Sequence, residues 1–100
     1  MSINGQVTLQ RKSYWVSRFA EIKEGIFTYR KDRNYTPKMF IDLRLSTVSR
    51  GRRDNGEYFM QITAPDLTTI KVSFKSKDDF HRWGLVFVES IKKDEELRRL

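Results

Sequence analysis

The feature that most constrains this 100-residue sequence is a change of hydrophobic period at Ser76. Before it, apolar side chains recur at every second position in short runs. Met39, Ile41 and Leu43 form one set, Tyr58, Met60 and Ile62 another, and Ile70, Val72 and Phe74 a third. Such alternation describes strands with one buried face. After it, Phe80, Trp83, Gly84, Phe87 and Ile91 fall on one side of a helix that no proline or second glycine interrupts. A chain of this order buries a helical stripe against an antiparallel sheet.

Local signals agree with that division. Ser76-Lys77-Asp78-Asp79 reads as a capping box, in which the Ser76 hydroxyl and the Asp79 carboxylate satisfy free helix amides. Asp78 and Asp79 also sit well against the positive end of the helix dipole. Upstream, Val7 and Leu9 alternate with polar neighbours before Gln10 to Ser13 breaks the pattern. In the run from Tyr14 to Lys23, Val16, Ala20 and Ile22 share a face with Arg18. Glu24-Gly25 marks a tight turn into Ile26 to Arg30, and Lys31 to Pro37 is a polar loop. A short strand at Thr47 to Ser49 leads into the arginine-rich loop Arg50 to Gly56, where Asn55-Gly56 is a turn signal; Ala64-Pro65-Asp66 is another. Seven short strands in roughly 75 residues suggest a sandwich or barrel. The expected layout is one domain over 1–100, with strands over about 3–74 and a helix over about 77–97.

The charge is lopsided. Residues 1–53 carry 12 basic and 4 acidic side chains, whereas residues 54–100 carry 8 and 9. A field of this shape attracts anionic partners. There is no cysteine, so neither a disulfide framework nor a thiolate metal site is available, which fits a reducing cytoplasmic setting. The longest apolar run, Leu85 to Val88, is far short of a membrane span, and the first residues lack the regions of a signal peptide. A soluble chain with at most peripheral membrane contact is therefore expected.

Catalytic and metal chemistry find no foothold. His81 is the single histidine and reads as a surface residue of the helix. No phosphate-binding glycine loop or dinucleotide fingerprint is present. Asp78 and Asp79 are adjacent on a helix and splay apart, so capping explains them better than acid–base work. The expectation is a non-catalytic module without cofactor or metal.

Five short segments, in order and spacing, carry a family resemblance: Gly5 to Leu9, Trp15 to Phe19, Gly25 to Tyr29, Pro37 to Leu43, and Asp79 to Trp83. From Gly5 to about Ile91 the chain resembles the pleckstrin homology (PH) domain. The resemblance implies a mainly β fold: a seven-stranded barrel of two nearly orthogonal antiparallel sheets, capped by one C-terminal α-helix. Trp83, with Phe80 and Phe87, would plug one end. It also implies a headgroup site at the open mouth, formed by Arg18 of the second strand, Tyr29 of the third and Lys38 before the fourth. Arg11 and Lys12 would substitute for a first-strand lysine, because Leu9 occupies its place. Val16 stands where a further basic residue is expected, two positions before Arg18. Arg30, Lys31 and Arg33 would add positive charge around the mouth. The partners implied are phosphoinositides or other anionic phospholipids, bound weakly to moderately, with modest discrimination between them and with the chain attached peripherally to membranes. Domains of this kind are usually parts of larger signalling, trafficking or cytoskeletal proteins.

Two other readings remain open at this stage. One is a protein-interaction or autoregulatory module of the same fold, using a second flank of the helix that contains Val86, Leu97 and Leu100. The other is nucleic-acid binding. It is disfavoured because the aromatic central-strand signature of an RNA-recognition motif is missing, and because Lys31 to Lys38 is a loop where an oligonucleotide-binding barrel places a helix. Arg50, Arg52 and Arg53 read equally well as a solvated turn or as a second anionic contact.

Overall fold

The structure is a computed structural model that describes residues 2–10 and 12–98, with side chains as far as Ile91. Arg11, and the Leu97 and Leu100 side chains, lie outside the described residues.

Seven strands precede one helix: β1 (Ile3–Gln10), β2 (Trp15–Lys23), β3 (Ile26–Arg30), β4 (Met39–Asp42), β5 (Thr47–Arg52), β6 (Tyr58–Thr63), β7 (Thr69–Phe74) and α1 (Lys77–Arg98). Every strand pair is antiparallel, in the order β4-β3-β2-β1-β7-β6-β5. The β1 strand pairs with β2 along its whole length but with β7 only from Thr8 to Gln10. It is thus the corner at which one sheet, β1 to β4, passes into the other, β5 to β7. This is the arrangement that the resemblance to PH domains implies.

Turn chemistry sets the register. Glu24 and Gly25 both have positive φ, 52° and 78°, as a two-residue hairpin turn that follows the strand twist requires. That turn pairs Lys23 with Ile26 and brings Phe27 opposite Ile22. Period-2 alternation then aims Ala20, Ile22, Phe27, Tyr29, Ile62, Ile70 and Val72 into one core.

The helix closes that core. Trp83 is 2% exposed. Its ring lies 5.8 Å from Phe74, Phe87 stacks on Phe27 at 6.1 Å, and Phe80 lies 5.3 Å from Tyr58. Burying each such side chain contributes roughly 1.5–3 kcal/mol, and each ring pair about 0.5–1.5 kcal/mol more. Gly84 lets the helix approach β6 closely, since a Cβ there would stand 2.8 Å from Met60 Cε.

Four local expectations are corrected by the structure. Leu43 belongs to a 3-10 turn, Leu43–Leu45, rather than to a strand, because Asp42 ends β4 by accepting the Arg44 N–H at 3.0 Å. Arg50, Gly51 and Arg52 lie within β5, paired with Met60, Phe59 and Tyr58; the loop begins only at Arg53. The Ser76 hydroxyl does accept the Asp79 N–H, at 3.1 Å. The Asp79 carboxylate, however, pairs with Arg82 at 2.6 Å, a charged partner one turn ahead. Val86 is buried in the core, so the free flank of the helix is marked instead by exposed Leu85 and Val88.

Candidate functional site

The two ends of the barrel differ. Trp83 reaches the start of β1, its Cζ2 lying 4.0 Å from where a side chain on Gly5 would begin. At the far end of β1 a cavity of about 370 Å³ opens, within the range of small-ligand sites. Leu9, Lys12, Tyr14, Val16, Arg18, Tyr29 and Lys38 line it, and none of these comes from the helix.

Each wall follows from local structure. The even-numbered residues of β2 point inward, and the core fills only behind Ala20 and Ile22, which leaves Val16 and Arg18 at the opening. Leu9 lies opposite Val16 in the β1–β2 register, so these two supply an apolar floor. Tyr29 is buried near the end of β3, and its carbonyl accepts the Lys38 N–H at 2.9 Å. That bond holds Lys38 beside the phenol although a loop of several residues separates them in sequence. Lys12 and Tyr14 enter from the β1–β2 turn. The Arg18 guanidinium donates to the Ser17 carbonyl at 2.7 Å, and among the described residues no carboxylate pairs with Lys12, Arg18 or Lys38.

The cavity therefore collects Lys12, Arg18, Tyr29 and Lys38 from the residues singled out in the sequence. Arg30, Lys31 and Arg33 are placed elsewhere. Arg30 lies over the outward-facing Phe19 ring at 5.5 Å and pairs with Glu21 at 3.9 Å; Arg33 lies over the same ring at 5.7 Å. Lys31 Nζ stands 5.4 Å from the Tyr35 ring. Stacked on outer aromatics, these cations contribute field but do not line the cavity. Tyr14 was not singled out in the sequence. Its signal was an aromatic residue between Lys12 and Trp15 in a turn, a place with no core to bury it.

Arg52, the last residue of β5, and Arg53, just after it, lie away from the cavity and take different partners. Arg53 lies 4.1 Å over Trp15, donates to Glu57 at 2.9 Å and approaches the Ser73 hydroxyl at 3.4 Å. Arg52 lies 5.1 Å over Tyr58. Among the described residues no three His, Cys, Asp or Glu side chains group as metal ligands, and no helix is long and apolar enough to cross a membrane.

A cation-lined cavity with a tyrosine and, among the described residues, no carboxylate in its wall can take a phosphorylated or otherwise anionic group by charge-assisted hydrogen bonds. Comparison with known proteins places the chain in a family. The PH domain model matches residues 3–92. The crystal structure of the pleckstrin homology domain of ArhGAP27 is similar at a TM-score of 0.75 and 18% identity, covering 91% of this chain and 99% of that one. The solution structure of the PH domain of human oxysterol binding protein-related protein 11 gives 0.79 and 15%, covering 97% and 85%. A structure of Vav1 with an allosteric inhibitor gives 0.68 and 16%, covering 92% of this chain and 17% of that one. No curated protein sequence matches. The chain belongs to the PH-domain family, whose members generally serve as non-catalytic modules for binding lipids or proteins.

Proposed function

We propose that this domain attaches the protein that contains it to anionic membranes, by weak to moderate binding of phosphoinositides or other acidic lipids in the β1–β2 cavity. The observation that carries this reading is the convergence of Lys12, Arg18 and Lys38 on one cavity that, among the described residues, no acidic side chain lines. Inositol phosphates are dense anions, and hydrogen bonds between charged groups contribute roughly 1.5–3 kcal/mol each. Three such bonds, less the cost of ordering two lysines, fall near or below the ~8 kcal/mol that micromolar affinity needs. The apolar floor of Leu9 and Val16 supplies no further polar contact to tell one phosphate arrangement from another. Discrimination among lipids is accordingly modest.

The test is cosedimentation with phosphatidylcholine vesicles carrying each phosphoinositide, or phosphatidylserine, in turn. Arg18→Ala and Lys38→Ala should each weaken binding about tenfold, one lost charged contact apiece. Arg50→Ala, which removes equal charge from β5, should weaken it less than about threefold. Rising salt should release the wild type throughout. Equal losses at Arg50 and Arg18, or binding indifferent to salt, would refute the cavity as the site.

A further inference from the structure

Away from the cavity, a second groove of about 320 Å³ runs beside β4. Met39, Phe40, Ile41 and Asp42 all line it. Successive residues of a strand face opposite sides of a sheet, so four in a row can border one groove only along the backbone edge. That edge is open: β4 is the last strand of its sheet and pairs with β3 alone. The opposite wall is the β6–β7 turn, with Ala64, Pro65, Asp66 and Thr68.

Three large apolar side chains stand in solvent around this groove: Phe40 at 70% exposure, Leu45 at 53% and Leu67 at 79%. Leu67 is also held at φ 70°, a conformation that bulky side chains avoid. The turn enforces it through the Leu67 N–H to Ala64 carbonyl bond and the Thr68 N–H to Asp66 Oδ1 bond, both 2.9 Å. A strained leucine fixed outward beside an open strand edge is poor design for an isolated surface.

The charges at the groove select among possible occupants. On a chain of net charge +7, the charged residues lining this groove are both acidic, Asp42 and Asp66. Arg44 takes both oxygens of Asp42 at 2.8 Å, whereas among the described residues no cation pairs with Asp66. Backbone hydrogen bonding from Thr68 holds the Asp66 carboxyl below its ordinary range, so it stays anionic at neutral pH. An acidic leaflet is repelled here, and a second copy brings the same net positive charge.

We propose that this groove binds an extended segment of a partner protein, which adds as a strand to the edge of β4. Its alternate apolar side chains cover Phe40, Leu45 and Leu67, and a lysine or arginine reaches Asp66. Main-chain bonds to β4 provide the docking, and the groove and Asp66 provide the selection. The surface is separate from the lipid cavity, so either can fail without the other.

The probe is a random dodecapeptide display library panned on the immobilised domain, followed by anisotropy titration of the enriched peptide as a fluorescein conjugate. Enriched sequences should alternate apolar residues and carry a Lys or Arg. Affinity should fall at least about tenfold in Phe40→Ser and Leu45→Ser, and about threefold at low salt in Asp66→Asn. Amide shifts on adding the peptide should centre on Met39 to Asp42, with vesicle binding unchanged in all three variants. These side chains are exposed, so the variants should melt within a few degrees of wild type. No enrichment, or a peptide whose affinity ignores Phe40→Ser, would overturn the proposal. So would loss of vesicle binding in Phe40→Ser, which would make the patch a membrane contact, or conversion of a dimer to a monomer by that change.

Discussion

Gly51 offers a sharp test of the packing described above. Its backbone φ is not positive, so nothing in its conformation demands glycine. Its neighbour does. Gly51 lies opposite Phe59 in the β5–β6 register, and a Cβ there would stand 2.4 Å from Cζ, 2.8 Å from Cε1 and 2.9 Å from Cε2 of that ring. The phenyl group thus covers a bare stretch of the outermost strand, a device that shields glycine in a sheet edge. Ordinary contact begins near 3.4 Å, so Gly51→Ala forces the ring back by about an ångström. The ring has little room to yield, because Trp15 lies 6.1 Å away and Lys71 Nζ stands 5.1 Å over it. Overpacking of this kind costs about 1–3 kcal/mol. The lower unfolded-state entropy of alanine offsets about 0.5–1 kcal/mol.

The net loss should be about 1–2 kcal/mol, or a melting temperature lower by about 5–15 °C for a domain of this size. Removing the ring should reverse the sign: in a Phe59→Ala background, Gly51→Ala should stabilise by about 0.5–1 kcal/mol. Urea denaturation of the four proteins, read by circular dichroism with slopes held equal, yields a coupling energy of about 2 kcal/mol. If Gly51→Ala is neutral in the wild type, or equally destabilising in both backgrounds, the steric account is wrong.

Trp83→Ala empties the helix–barrel contact and should cost about 3–5 kcal/mol, most of the stability of a small domain; unchanged near-ultraviolet ellipticity and melting would contradict this. Ser76→Ala removes the acceptor of the Asp79 N–H and should cost about 1 kcal/mol, seen as a melting temperature about 4–8 °C lower. The Arg44 side chain, hydrogen-bonded to Asp42, lowers the Asp42 pKa in the folded state. A depressed pKa contributes stability above the unfolded value near 4, lost as pH falls through the folded value. The wild type should therefore lose its advantage over Asp42→Asn between pH 6 and pH 2 in urea titrations, and a constant gap would exclude the ion pair as its cause.

The fold was legible because its decisive signals are local. Alternation fixes which face of a strand is buried, a capping serine fixes where the helix begins, and the Phe80–Trp83–Phe87 spacing fixes the face that docks. What stayed hidden depends on cross-strand geometry. Arg50 to Arg52 carries a glycine between arginines and looks like a loop; it is a strand because Phe59 packs across Gly51 from β6, a partner eight positions on. Val86 shares the buried stripe only because the helix sits deep enough for a wider arc to be covered. At the cavity, Arg18 and Lys38 were legible through the resemblance to PH domains, Arg18 as the arginine that ends the second-strand motif and Lys38 as the basic residue after Pro37. Arg30 and Arg33 were not, since their direction depends on an outward Phe19 ring two strand positions from any charge that sequence alone would pair with them.

This sorting of cations decides what the net charge means. A count of +7 suggests a broad basic surface, yet the excess does not reach a ligand evenly. Arg44, Arg53 and Arg30 face carboxylates at 2.8, 2.9 and 3.9 Å, and their fields are largely cancelled at a distance. Lys31 and Arg33 keep their charge on outer aromatics, where each can add about 1 kcal/mol near an anionic leaflet without touching a headgroup. Among the described residues, the cations that line the cavity are Lys12, Arg18 and Lys38. On the proposed membrane reading, three contact cations and a diffuse outer field make residence depend on the density of negative charge more than on the identity of one lipid. Increasing phosphatidylserine at fixed phosphoinositide should therefore raise binding steeply, and a plateau set by the phosphoinositide alone would mean that the cavity reads more of its ligand than three cations can.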